Sequence, residues 1–143
     1  MKKFLVYARS NVDRNLLDQI ETEIKRSGGT CQLALVNDSE DDVEEIADGA
    51  EAVISVGGDG TLVSAAKAAK SLRIPIVGIN LGHMGYLCDL DMESMKPGIA
   101  ALIRDDFEVE ERMMLSGYLG GDKRLRRALN DVVVSKGPGL NVI

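Results

Sequence analysis

The sequence has no tryptophan, a single histidine (His83), two cysteines and three prolines, and its aromatic content is only 3%. One histidine excludes zinc sites built on HExxH or on paired His ligands, while a metal held by oxygen ligands stays open. Cys31 and Cys88 form no CxxC pair and imply no disulfide framework, so a reducing cytoplasm is the expected location. Positive charge is also short: 17 Lys plus Arg stand against 23 Asp plus Glu, a net charge of −6 with a pI near 4.8. That balance excludes the broad basic face of a nucleic-acid-binding domain. Long apolar runs are missing as well. The first, Phe4 to Ala8, follows Lys2-Lys3 and stops at Arg9, too short for a signal peptide or a membrane span, so no membrane partner is expected. An anionic ligand, if bound, has to be held by local chemistry.

What is present suits one soluble domain: 143 residues, 45% of them hydrophobic and 28% charged. A chain of this size buries about 68–70% of its unfolded surface and needs no staple. Phe4–Ala8 predicts a strand. Asp13 then opens a helix with Leu16, Leu17, Ile20 and Ile24 at helical spacing, stopped by Gly28-Gly29. Cys31–Val36 and Ala52–Val56 predict two more strands, separated by an acidic segment from Asn37 to Glu45 and a short helix around Val43–Ala47. An alanine-rich helix over Leu62–Leu72, a strand over Ile74–Ile79 and a helix over Met92–Arg104 follow, with Pro97 tolerable only in that helix's first turn. Near-continuous apolar strands alternating with helices predict a parallel sheet covered on both faces, an α/β sandwich. The rhythm changes after about residue 106. Phe107–Arg112, Met113–Leu119 and Ala128–Ser135 read as extended and Gly120–Lys123 as a turn, which makes an antiparallel hairpin. The reading therefore divides the chain into an α/β domain over 1–106 and the start of an antiparallel β domain over 107–143. No internal repeat is visible.

The most informative segment is Ser55-Val56-Gly57-Gly58-Asp59-Gly60-Thr61, at the junction of a buried strand and a helix. Glycines let a ligand approach the main chain closely, and a helix N-terminus carries unpaired N–H groups and about half a positive charge. Phosphate is favoured there even on an acidic protein. GxxxxGK[ST] is absent, and Val63 stands where the dinucleotide fingerprint needs a third small residue. A carboxylate inside a phosphate cradle repels phosphate, so Asp59 needs another task. Accepting the proton of an attacking hydroxyl and helping to hold Mg²⁺ between phosphates both suit it, and so does capping the helix. Gly78-Ile79-Asn80-Leu81-Gly82-His83-Met84-Gly85-Tyr86-Leu87 repeats the glycine pattern at the end of the next strand, and two such turns side by side make one crevice. There Asn80 can hydrogen-bond a ligand or serve its turn, and Tyr86 can pack on a base or enter the core. His83 reads as a turn residue.

Together with Ala128-Leu129-Asn130-Asp131, and in this order and spacing, these two segments resemble the NAD kinase family. Glu110-Glu111-Arg112-Met113-Met114-Leu115 also looks typical of it. The resemblance implies a Rossmann-like, phosphofructokinase-like α/β fold. It implies transfer of the γ-phosphoryl group of ATP, or of polyphosphate in some relatives, to the 2′-hydroxyl of the adenosine ribose of NAD, with Mg²⁺. It also implies roles: Asp59 takes the proton of that hydroxyl, Gly57, Gly58, Gly60 and Thr61 shape the phosphate turn, and Tyr86 lines the adenine pocket. Asn80, Asn130 and Asp131 complete the nucleotide contacts, and the protein assembles as a homodimer or homotetramer.

Two departures accompany the match. The family usually has Asn-Glu where this chain has Asn130-Asp131, one methylene shorter, which lengthens or rearranges the ribose hydrogen bonds. Family members also continue through a full β-rich domain whose motifs complete the NAD site, whereas this sequence stops at Ile143 inside an extended run, so it reads as a fragment or a member ended early. The glycine–aspartate turn alone is shared with diacylglycerol and sphingosine kinases and with 6-phosphofructokinases. A lipid kinase and a non-catalytic nucleotide-binding module are therefore the alternatives, and the Gly78–Leu87 segment favours the NAD kinase.

Overall fold

Strand β1 (Lys3–Arg9) buries five consecutive residues, Phe4 to Ala8, between exposed ends, because both of its faces are covered. A computed structural model describes residues 1–37, 47, 49–69, 72–82, 85–118 and 126–129. After β1 come α1 (Arg14–Arg26), β2 (Thr30–Val36), β3 (Ala52–Gly57), α2 (Asp59–Ala68), β4 (Ile76–Asn80), β5 (Leu90–Asp91) and α3 (Met95–Ile103). The five strands form one sheet in the order β2-β1-β3-β4-β5, with every neighbouring pair parallel. This is the parallel α/β architecture expected from the strand and helix pattern. The expected helix around Val43–Ala47 lies, except for Ala47, outside the described residues.

The two faces of the sheet take alternate residues, as a period of two requires. Phe4, Val6 and Ala8 of β1 with Ala52, Ile54 and Val56 of β3 pack under Leu17, Ile20 and Ile24 of α1 and Met95 and Ile99 of α3. Leu5, Tyr7 and Val53 face the other way, towards Ala65 and Ala69 at the end of α2. A single residue, Gly58, separates β3 from α2, so the N-terminus of α2 lies at the end of β3.

Local chemistry sets the ends of α1. The Asp13 carboxylate caps its start, accepting the Asn15 N–H at 2.9 Å. The helix stops through Gly28, whose φ of +94° is the left-handed conformation that glycine adopts most easily. Asp13→Ala is expected to cost about 1 kcal/mol in urea unfolding. A change below about 0.3 kcal/mol would show that α1 is held by its buried face alone.

Several boundaries differ from the sequence expectation, two of them in the first unit for reasons visible in the turns before them. Strand β4 begins at Ile76 rather than Ile74, because Arg73 sits at φ +51° and Pro75 cannot donate to a ladder, although its carbonyl still accepts the Val53 N–H at 2.9 Å. Helix α3 begins at Met95 rather than Met92. The Asp91 carboxylate accepts the Glu93 and Ser94 N–H groups at 3.0 and 2.8 Å and the Ser94 hydroxyl at 2.7 Å, holding 92–94 in a turn. Pro97 then occupies the helix's third position, inside the first turn.

The chain divides into two compact units, Met1–Val109 and Glu110–Ile143. Residues 106–114 belong to no strand. In the second unit β6 (Leu115–Gly117) and β7 (Arg126–Ala128) pair antiparallel, Leu115 opposite Ala128 and Gly117 opposite Arg126. The expected turn at Gly120–Lys123, Asn130, Asp131 and the extended run to Ile143 lie outside the described residues.

Candidate active site

In an open parallel sheet, ligands bind beyond the carboxyl ends of the strands, where connections diverge. Here β3 and β4 end side by side, with Gly57 in register with Asn80 and the Leu81 N–H donating to the Gly57 carbonyl at 2.9 Å. The two glycine segments of the sequence are thus adjacent. The order β2-β1-β3 also reverses direction at β1, so the exit of β1 adjoins the first turn. There the Ser10 hydroxyl and the Asn37 side chain are 2.6 Å apart.

Gly57 is dictated by packing as much as by conformation. Its φ is +155°, and a Cβ there would stand 2.3 Å from Thr61 Oγ1 and 2.8 Å from Thr61 Cβ. Gly58 is the N-cap of α2 and makes no side-chain capping hydrogen bond, while its carbonyl accepts the Thr61 and Leu62 N–H groups at 2.9 and 3.1 Å. Gly58 and Gly60 have open space where a Cβ would be, consistent with a main chain meant to be approached. Gly60→Ala is therefore expected to stabilise the fold by about 0.5–1 kcal/mol in urea unfolding, since alanine suits a helix better; a loss of stability would show that the position is not the open helical one described.

Asp59 is the first residue of α2, yet its carboxylate does not cap that helix. It crosses to the second segment, where Oδ2 accepts the Tyr86 N–H at 2.8 Å and Oδ1 the Leu87 N–H at 3.1 Å. These main-chain donors, Tyr86 foremost, hold the carboxyl below its usual range against the opposing effect of partial burial, so it is ionised at neutral pH. Burial first, and the Asp59 charge second, push the buried Cys88 thiol up to about 11. Cys88 follows directly on the quoted glycine segment, and nothing in the sequence pattern marks it.

Asn80 is buried, and its Oδ1 accepts the Gly82 N–H at 3.0 Å, which shapes the second turn. Thr61 is buried beneath Gly57. Tyr86 is 98% exposed, so packing in the core, the ordinary alternative for this residue, is not what the fold does with it. His83, Asn130 and Asp131 lie outside the described residues.

The fold and its paired turns define a Rossmann-like α/β domain with a phosphate-type turn that carries a carboxylate. The chain belongs to the NAD kinase family: the model of the ATP-NAD kinase N-terminal domain matches residues 2–107. It is similar to an NAD kinase of Agathobacter rectalis, at 35% identity over all of this chain and 53% of that protein. Similar matches are an NAD kinase of Lachnospira eligens, at 42% identity over 71% of this chain and 36% of that protein, and one of Clostridium botulinum, at 36% over 89% and 46%. The chain spans about half, or less, of the length of these relatives.

Proposed function

We propose that this protein is an NAD kinase and that Asp59 receives the proton from the 2′-hydroxyl of the NAD adenosine ribose. The ribose oxygen bonds to the γ-phosphorus of ATP, the bond from that phosphorus to its bridging oxygen breaks, and ADP leaves. The observation that carries this reading is the Asp59 carboxylate, ionised and hydrogen-bonded to the second turn while standing at the uncapped N-terminus of α2. The family membership and relatives named NAD kinases support it.

A carboxylate is a weak base towards an alcohol, so orientation and charge stabilisation supply most of the rate. Gly57, Gly58, Gly60 and Thr61 form the turn that receives phosphate, Asn80 holds the neighbouring turn, and exposed Tyr86 is free to stack on adenine. Asn130 and Asp131 are assigned to the nucleotide by the family motif, and Asn130→Ala is expected to weaken NAD binding. Among the described residues no three His, Cys, Asp or Glu side chains converge to cage a metal. The donor set fits Mg²⁺ that arrives on ATP with phosphate oxygens as its principal ligands and Asp59 as the carboxylate the turn offers. When bound, Mg²⁺ neutralises phosphate charge.

The domain reading extends the same proposal: 1–106 binds nucleotide, and 107–143 opens a β-rich domain. A cytoplasmic homodimer or homotetramer is the assembly proposed. Among the described residues no helix is long and apolar enough to cross a membrane. Incubation with ATP and Mg²⁺ and with NAD or diacylglycerol tests the function, with polyphosphate as a second donor. NADP formation is expected; phosphorylation of the lipid alone would reject the reading.

A further inference from the structure

Helices α1 and α2 lie on opposite faces of the sheet, α1 over Phe4, Val6 and Ala8 and α2 over Leu5, Tyr7 and Val53. The chain thus leaves β1 towards one face and β3 towards the other. Neighbouring parallel strands whose connections part in this way leave a crevice between their carboxyl ends. Ala8 stands opposite Val56, so Arg9 and Ser10 leave the sheet beside Gly57 and Gly58. Ser10 is held there: its N–H donates to the Val36 carbonyl at 3.0 Å and its hydroxyl to Asn37 Oδ1 at 2.6 Å. With Oδ1 engaged, Asn37 still offers two amide N–H donors, and both residues are exposed. Arg9, exposed as well, brings a positive charge to the same strand end.

The other flank of β3 belongs to the acceptor. Asp59 turns to the β4 side, where its carboxylate accepts the Tyr86 and Leu87 N–H groups at 2.8 and 3.1 Å. A hydroxyl whose proton it takes lies within hydrogen-bond reach of it. In phosphoryl transfer the attacking and leaving oxygens stand roughly in line, on either side of the phosphorus. An acceptor on the β4 side therefore sends the leaving group across the turn between β3 and α2 to the β1 side, one strand spacing of about 4.8 Å away. We propose that the crevice between the ends of β1 and β3 seats the leaving diphosphate of ATP, with the Asn37 amide, fixed by Ser10, donating to its oxygens. The ribose oxygen bonds to the γ-phosphorus on the β4 side. The bond from that phosphorus to the bridging oxygen breaks, its electron pair stays on that oxygen, and ADP departs over β1. The assignment rests on Asp59 receiving the ribose proton. The competing account is that Ser10 and Asn37 only tie the ends of β1 and β2 together.

Asn37→Asp separates the two accounts, because it keeps an acceptor for the Ser10 hydroxyl and puts a negative charge in place of the amide donors. With NAD saturating, it is expected to weaken ADP binding to the 143-residue chain about tenfold or more in calorimetry. KM for ATP should rise likewise, with KM for NAD within about twofold of the wild type. ADP affinity within about twofold of the wild type is what a mere tie gives, and it would overturn the proposal. So would an equal rise in both KM values. A second measurement needs no variant: ADP added to the NAD-saturated wild type should move the amide resonances of Ser10 and Asn37. ADP that moves neither would also overturn the proposal. If the wild type forms no NADP, the kinase reading falls, and the ADP shifts at Ser10 and Asn37 alone decide whether this crevice takes a nucleoside diphosphate.

Discussion

Asp59→Asn is expected to reduce NADP formation by about 10²–10⁴-fold, the usual contribution of a general base, while NAD binding persists. The effect has two sources. The carboxamide cannot take the ribose proton, and only one of its two ends is an acceptor, so its NH₂ faces either the Tyr86 or the Leu87 N–H. Rate measured as NADP formed, and affinity measured by calorimetry, separate chemistry from binding. Equal rates in the two proteins would remove Asp59 from the reaction. The pH profile follows from the same contacts. The folded carboxyl lies below the ordinary 3.8, so the stability its hydrogen bonds add is complete above the unfolded value and is lost as pH falls through the folded one. Activity carried by Asp59 therefore has no acid limb near neutrality.

Gly57→Ala is expected to cost about 2–4 kcal/mol of stability and to damage the site at the same time. One part is backbone strain, because a φ of +155° is a conformation that residues with a Cβ rarely adopt. The other part is collision. The new methyl meets Thr61 Cβ at 2.8 Å, and no rotation of the Thr61 side chain relieves a contact with its own Cβ. Thr61 is buried, so the first turn of α2 must shift instead, and the Gly57 carbonyl that accepts the Leu81 N–H shifts with it. Urea unfolding should show a lower midpoint with an unchanged slope. A loss under about 0.5 kcal/mol would mean that the turn relaxes freely and that Gly57 is not required by packing.

Much of this arrangement is legible in the residues. The run Phe4–Ala8 predicts a strand buried on both faces, and that is what β1 is. Leu17, Ile20 and Ile24 predict the buried face of α1, and Gly28-Gly29 its end. Elsewhere local pattern falls short. Strand β5 has two residues, too few for a period of two to register. Helix α2 starts at Asp59, inside the glycines, because α2 is held against the sheet by Ala65 and Ala69 further along, and packing outweighs the low propensity of Gly60.

The sequence by itself determined the alternation of apolar strands and helices, and with it a parallel sheet, together with two glycine turns and the carboxylate in the first. These are local properties, set by side-chain periodicity and by what glycine and aspartate do in a turn. Only the tertiary structure decided that β3 lies beside β4, that the chain reverses direction across β1, and that Tyr86 points to solvent. It also decided that Asp59 reaches donors 27 and 28 residues away instead of capping its own helix. Strand order depends on how helices pack on both faces of the sheet, and a hydrogen bond across that distance leaves no periodic trace in the sequence. The single histidine and the scarce positive charge keep the meaning they had at the outset: zinc sites built on paired histidines are excluded, and an anionic ligand, if bound, has to be held by local chemistry.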